Sequence, residues 1–355
     1  MLIHRRGLAA LGGRGLAALG AGMLAAPAMV RPASAQELTL RLHHFLPAVS
    51  NVHRHFLMPW AQKIQQESQG RLRVQIFPSM QLGGAPPQLF DQARDGVVDM
   101  VWTLPGNTPG RFPKIEVFEL PFVADSRARP NAKACWEFYQ THLQEEFREV
   151  HPIVVWAHDG GTIHANKQVN RLEDMRGLKL RFPTRQAGEA LRALGAAPIG
   201  MPVPQVPEAV SQRVIDGAVV PWEVVPSIRL AELVRFHTEI VGTPTLYTAT
   251  FIIAMNQAKY ASMPAELRTV LDANSGMVAA EMAAKVWDEQ GPLVREQVAR
   301  RRDNTIVRLS AAEKERWMLA TRPVVDAWIA GSRERGFDGA ALLADARGLI
   351  AKHGA

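Results

Sequence analysis

A single cysteine, Cys135, is all that this chain of 355 residues contains. No disulfide can form within it, so the fold must rest on its apolar core alone. Cys135 lies in NAKACWEFYQTHL among helix-forming residues, which predicts a buried structural thiol rather than a reactive one. Basic runs interleaved with aromatics are missing, and with them the footprint of a nucleic-acid-binding surface. The formal net charge of +7 includes Arg5, Arg6, Arg14 and Arg31; without these four it is +3, ordinary for a soluble protein. Charge-free apolar stretches of about 20 residues, the length of a membrane span, are also absent.

Catalytic signatures are lacking as well. The chain has no G-x-S-x-G elbow, no P-loop and no G-x-G-x-x-G after a strand. Serine, histidine and aspartate occur with no spacing that arranges them, so the expected protein is not an enzyme. His43, His44, His53 and His55 fall close together. Adjacent histidines on a strand point to opposite faces, and His53 and His55 cannot share a helical face. With no carboxylate pair nearby, neither a metal site nor a cofactor is expected. His44 remains either a single hydrogen-bond donor to a ligand or a satisfied loop histidine.

What is present begins with an export signal. Arg5-Arg6 is followed by a weakly apolar stretch to Val30 and then by Ala33-Ser34-Ala35, which fits small-x-small cleavage. This predicts a twin-arginine-like signal over residues 1–35 and a periplasmic mature protein starting near Gln36. The remaining length suits two lobes better than one core.

Strand and helix signals alternate in the first half. LTLRLHHF and RLRVQIFP read as strands, the second by its period-two Leu72, Val74 and Ile76. Helical stretches follow at Val52 to Ser68 and Pro86 to Arg94, and VVDMVWTL is a nearly continuous apolar strand. That is a βαβαβ unit, hence a parallel sheet with right-handed crossovers. The pattern repeats through IVVWAH, Thr162 to Asn166, LKLRF and GAVVP, with helices at Arg185 to Leu194 and Pro204 to Val214. FHTEIVG and YTATFIIAMN read as strands able to cross back to the first lobe. From Pro264 the chain is helix-rich, with helical spacing from Met277 to Arg302. The expected divisions are lobe I over 36–155, lobe II over 156–245, and a crossing strand, long helix and C-terminal helices over 246–355 completing lobe I.

Two such α/β lobes leave a cleft where strand C-termini and helix N-termini converge, which is where open α/β sheets bind ligands. In GLKLRFPT, Leu178, Leu180 and Phe182 alternate on one face and Arg181 lies on the other, at the strand's C-terminal end. By periodicity alone Arg181 is either a solvated charge or a cation facing the cleft. Trp102, Trp222 and Tyr247 also fall at strand ends, and are read either as core or as the walls of an apolar slot around one cation. Asp159 and Thr184 are weaker polar candidates.

RLEDMRGLKLRFPT, LGGAPPQLFDQARDGVVDMV and VPQVPEAVSQRVIDGAVVPWE together resemble the periplasmic solute-binding proteins of tripartite ATP-independent (TRAP) transporters, the DctP type. The likeness covers essentially the whole mature chain. It implies a periplasmic-binding-protein fold of two α/β lobes with a hinge and a lobe-spanning helix, for which Met277 to Arg302 is the natural candidate. It also implies that Arg181 grips a ligand carboxylate and that the load passes to integral membrane subunits. The guanidinium suits that role, being a permanently charged planar fork matched to both carboxylate oxygens.

Two departures bear on the ligand. Sialic-acid-binding members carry a second arginine where HDGGTI here has Gly161, and an asparagine where this chain has Val220. A heavily hydroxylated sugar acid is therefore disfavoured. Members that bind 2-oxo acids through a metal carry a Glu-Trp pair where this chain has Val219-Val220, so a metal-bridged ligand is not expected. Trp222 is read as an aromatic wall, and Glu223 as a partner for Arg181, a ligand donor or a structural pairing. The expected ligand is an aromatic or otherwise apolar monocarboxylate. The alternative function is an exported binding protein that presents its ligand to a membrane receptor for sensing.

Overall fold

The computed structural model describes residues 37–355; the export signal expected over residues 1–35 lies outside them. β1 (Leu38–His44) and β2 (Leu72–Phe77) pair in parallel, and β3 (Met100–Thr103) lies parallel to β1 on its other side. The helix Met58–Glu67 makes the first crossover and Leu89–Arg94 the second. This is the βαβαβ unit that the alternation predicts. β3 is shorter than the apolar run Val97 to Leu104. Asp99, just before it, accepts the Arg41 N–H at 2.8 Å and ends the apolar stretch on a polar contact.

β4 (His151–Ala157) and β10 (Thr250–Met255) complete the first sheet in the order β2-β1-β3-β10-β4. β10 runs antiparallel to both neighbours, and all six of its residues are buried. A strand covered on both faces tolerates such a continuous apolar run, TFIIAM.

The second sheet has the order β11-β9-β5-β8-β6-β7. Its strands are β5 (Thr162–Ala165), β6 (Lys179–Phe182), β7 (Ala197–Gly200), β8 (Gly217–Val220), β9 (Phe236–Glu239) and β11 (Thr305–Arg308). β6, β7 and β8 are parallel, and β5 is antiparallel to both β8 and β9. Of the two strands read as able to cross back, only β10 does so. β9 stays in the second sheet.

The chain thus passes from the first sheet to the second through residues 158–161 and returns through 240–249. These two crossings hold each other. Gly161 N–H donates to Tyr247 O at 3.1 Å, Thr248 Oγ1 donates to His158 O at 2.8 Å, and Ala249 N–H donates to His158 Nε2 at 2.9 Å.

The helix Met277–Ala299 is the long element expected from its spacing. It packs on the helix Ala128–Phe138 and on β4 of the first lobe, and on the turn Trp222–Ile228 of the second. The rest of the C-terminal third serves both lobes. β11 joins the second sheet beside β9, the helix Ala311–Glu334 packs on Arg185–Ala193, and Gly339–Gly354 packs on Ala128–Phe138. The expectation that this third completes lobe I alone is corrected accordingly. Cys135 is buried in the Ala128–Phe138 helix, and burial pushes its thiol well above the usual range. No helix among the described residues is long and apolar enough to cross a membrane.

Candidate ligand-binding site

A cavity of about 50 Å³ lies between the two sheets, walled by residues of both lobes and of both crossings. A single water needs about 10–15 Å³, so the space is several times that of one water and bounds the occupant to a small molecule. Its apolar walls include Phe45, Trp102, Phe251 and Trp287, with Val219, Val220 and Val224 from the second lobe. The aromatic residues form a layer: the Trp102 ring lies 4.9 Å from Phe45 and 5.6 Å from Phe251, and Phe251 lies 5.6 Å from Trp287.

Arg181 is the cation of this cavity. β6 places it on the same face as Lys179, yet Lys179 is exposed and Arg181 only 4% so, because the strand's C-terminal end meets the other lobe. Its Nε donates to Met201 O at 2.8 Å and its Nη1 to Val219 O at 3.3 Å. Neither partner carries charge, and among the described residues Arg181 forms no ion pair. Burial pulls its pKa down to about 10, which leaves it charged at neutral pH. A buried cation without a counter-ion is costly, and an entering anion would relieve that cost.

Tyr247 comes from the return crossing and also lines the cavity. Burial holds its hydroxyl well above the usual range, and the hydroxyl has no hydrogen-bond partner among the described residues. The Trp102 indole N–H is likewise buried and unpartnered. Gly161 explains the place of Tyr247: a Cβ at 161 would overlap the tyrosine ring.

Glu223 lines the cavity too, 2% exposed. Its Oε1 accepts the Val52 N–H at 3.2 Å, and burial, reinforced by the Asp159 charge, pushes its pKa up to about 8. It makes no ion pair with Arg181 within 4 Å, so that reading of Glu223 is corrected.

Four other expected residues stand off the cavity. Trp222 turns into the second lobe, where its indole donates to Glu239 Oε1 at 3.0 Å and its ring packs 4.9 Å from His164. It is a core residue and not the expected wall. His44 is held through Nε2 by His53 Nδ1 at 2.9 Å, while its Nδ1 accepts the Leu46 N–H at 3.2 Å. Burial lowers its pKa to about 3, and it is the satisfied histidine rather than a ligand donor. Asp159 faces His158 at 3.3 Å, with burial raising its pKa. Thr184 precedes the helix Arg185–Ala193, and its methyl packs against Gly106.

Sequence reasoning missed Phe45, His158, Phe251 and Trp287. Phe251 and Trp287 belong to apolar patterns that mark core as readily as cavity, so no sequence signal separates the two. His158 was within reach, since it sits at the end of β4 beside the Gly160-Gly161 crossing.

This arrangement is matched by comparison with known proteins. The model of the family "Bacterial extracellular solute-binding protein, family 7", DctP, matches residues 42–331. The crystal structure of a TRAP solute binding protein from Rhodoferax ferrireducens T118, in complex with copurified benzoate, is 44% identical. It superposes with a TM-score of 0.86, covering 89% of this chain and 98% of that one. A marine metagenome TRAP solute binding protein specific for aromatic acid ligands, in complex with 3-hydroxybenzoate, is 42% identical with a TM-score of 0.87, covering 90% and 99%. A third from Bordetella bronchiseptica, with bound (R)- and (S)-mandelate, is 30% identical with a TM-score of 0.82, covering 89% and 99%. With its two sheets, its paired crossings and a family match across most of its length, this chain belongs to the DctP family of TRAP transporter solute-binding proteins.

Proposed function

We propose that this protein captures a small aromatic monocarboxylate between its lobes in the periplasm, after cleavage near Ala35, and delivers it to the membrane subunits of a TRAP transporter. The observation that carries the reading is Arg181: a buried guanidinium held by two backbone carbonyls, without a carboxylate partner, in a cavity walled by aromatic rings. Its free N–H groups suit a carboxylate, and the unpartnered Tyr247 hydroxyl and Trp102 indole offer further donors. The ring of the ligand would pack in the layer of Phe45, Trp102, Phe251 and Trp287. Benzoate, 3-hydroxybenzoate and mandelate in the related structures support the same ligand class. The role is capture, without turnover.

Binding of an anion neutralises the site and favours the closed lobes, because closure alone would bury an unpaired charge. Calorimetric titration of the purified protein with benzoate, mandelate, succinate, gluconate and sialic acid tests the reading. Binding by the aromatic acids is expected. A protein that bound only sialic acid or another sugar acid would refute it.

A further inference from the structure

Beside its cation, the cavity contains an acid with one oxygen unserved. Glu223 follows β8 in the turn Trp222–Ile228. Trp222 turns inward to Glu239, and the next side chain faces the cavity. Glu223 also ties the lobes together, since Asn51 Nδ2 donates to its backbone oxygen at 2.8 Å and Val52 N–H to its Oε1 at 3.2 Å. Both partners lie just after β1, in the first lobe. Among the described residues no hydrogen bond or ion pair reaches Oε2, which, unlike the Tyr247 hydroxyl, is not fully enclosed by protein and is left to the cavity space. A carboxyl group in so buried a residue is stabilised when its polar atoms find hydrogen-bond partners.

We propose that Glu223 exchanges a hydrogen bond with a hydroxyl or amino group on the ligand ring, so that the preferred ligands are aromatic carboxylates bearing such a group. This rests on the aromatic-carboxylate reading and narrows it. Arg181 takes the carboxylate, and Glu223 takes the ring substituent. An unsubstituted ring would leave Oε2 facing carbon, and a ring fluorine, a poor hydrogen-bond partner, would serve it little better. A phenolic hydroxyl suits the group in either protonation state, donating to the carboxylate or accepting from the acid. Because Oε1 already holds the first lobe, a donor on Oε2 places the ligand in the same cross-lobe chain of hydrogen bonds.

A site built around a buried polar group rejects the analogue that leaves it unpaired, here by about tenfold. The test is isothermal titration with benzoate and with its 3- and 4-hydroxy, 3- and 4-amino, and 3- and 4-fluoro derivatives. The native protein, Glu223→Met and Glu223→Gln are compared. At least one hydroxy or amino isomer is expected to bind native protein about tenfold more tightly than benzoate and its fluoro counterpart. That ratio should collapse toward one in Glu223→Met. Should that variant not fold, Glu223→Gln keeps an oxygen for Val52 and must still lower the ratio; the hydroxy-against-fluoro comparison needs no variant at all. Equal binding of the plain, fluoro and donor-bearing acids to native protein overturns the inference and leaves the aromatic-carboxylate reading standing. A preference that survives in both variants does the same. Failure of every aromatic acid to bind overturns both.

Discussion

Replacing Arg181 by methionine separates a binding role from a structural one, because the two make opposite demands on the unliganded protein. Without ligand, the guanidinium is a buried charge facing only the carbonyls of Met201 and Val219. Arg181→Met forfeits two hydrogen bonds to a charged group, about 1.5–3 kcal/mol each. It also removes a desolvation penalty of several kcal/mol. The two nearly offset, and the unliganded melting temperature is expected to move by at most about 5 °C. Binding has no such offset. Truncating one side of a desolvated charge pair costs about 3–4 kcal/mol, or a 10²- to 10³-fold loss of affinity.

Scanning fluorimetry reads both effects. Ligand at about 100 times its dissociation constant stabilises native protein by about 2.7 kcal/mol. With an unfolding entropy of roughly 0.7 kcal/mol/K for this length, that is a shift of about 4 °C. At the same benzoate concentration the variant should shift by less than about 1 °C. A variant that keeps the 4 °C shift, or one that melts far below native protein while still binding, would refute the assignment of Arg181 as the anion anchor.

Other outcomes follow from the same geometry. Trp222→Phe loses the bond to Glu239 but faces away from the cavity, so melting should fall by about 2–3 °C. Benzoate affinity should stay within about threefold, since no ligand contact is removed; a larger loss by calorimetry would put Trp222 back at the ligand. Gly161→Ala drives a methyl group into the Tyr247 ring, an overpacking cost of about 1–3 kcal/mol. Both stability and benzoate affinity should drop, and a variant with unchanged affinity would exclude Tyr247 from the site. Two kinds of group set the pH dependence: burial pushes Glu119 and Glu146 up to about 7 and Glu223 up to about 8, from an ordinary 4.5, and holds His43, His44, His53, His151, His164 and His237 below an ordinary 6.5. Above about pH 6.5 the unfolded histidines are already neutral, and the acids, which keep protons that the unfolded chain has released, make stability fall as pH rises. Calorimetric melting should be higher at pH 7.0 than at pH 8.5, with a shallower slope in Glu119→Gln; melting that climbs across that window would contradict it.

The parts of this protein that obey a local period were legible in its sequence. The alternation of Leu72, Val74 and Ile76 marks β2, the all-apolar core of β3 marks a central strand, and the 277–299 spacing marks the long helix. Arg181 could be placed at the cleft because a strand's C-terminal end has a fixed relation to the sheet. Trp222 and Glu223 could not be told apart in the same way. They sit in a tight helical turn after β8, where no period says which side chain faces the cavity. His44 was equally opaque, since its partner His53 opens the helical segment His53–Leu57 that follows β1. β11 has only four residues, TIVR, of which Val307 alone is buried, and it is a strand because β9 lies ready beside it.

The place of β10 has a consequence for how the chain can be made or divided. β4 meets no strand of the first sheet except β10. β10 is synthesised only after the whole run from β5 to β9 has emerged. Until then β3 and β4 each carry an open hydrogen-bonding edge, and the first sheet is two separate pieces. A fragment ending near residue 245 would therefore expose unpaired strand edges of the kind that associate with other chains. The two lobes are not separable modules: the first is finished from the far side of the second, and neither can be expressed as a simple N- or C-terminal half.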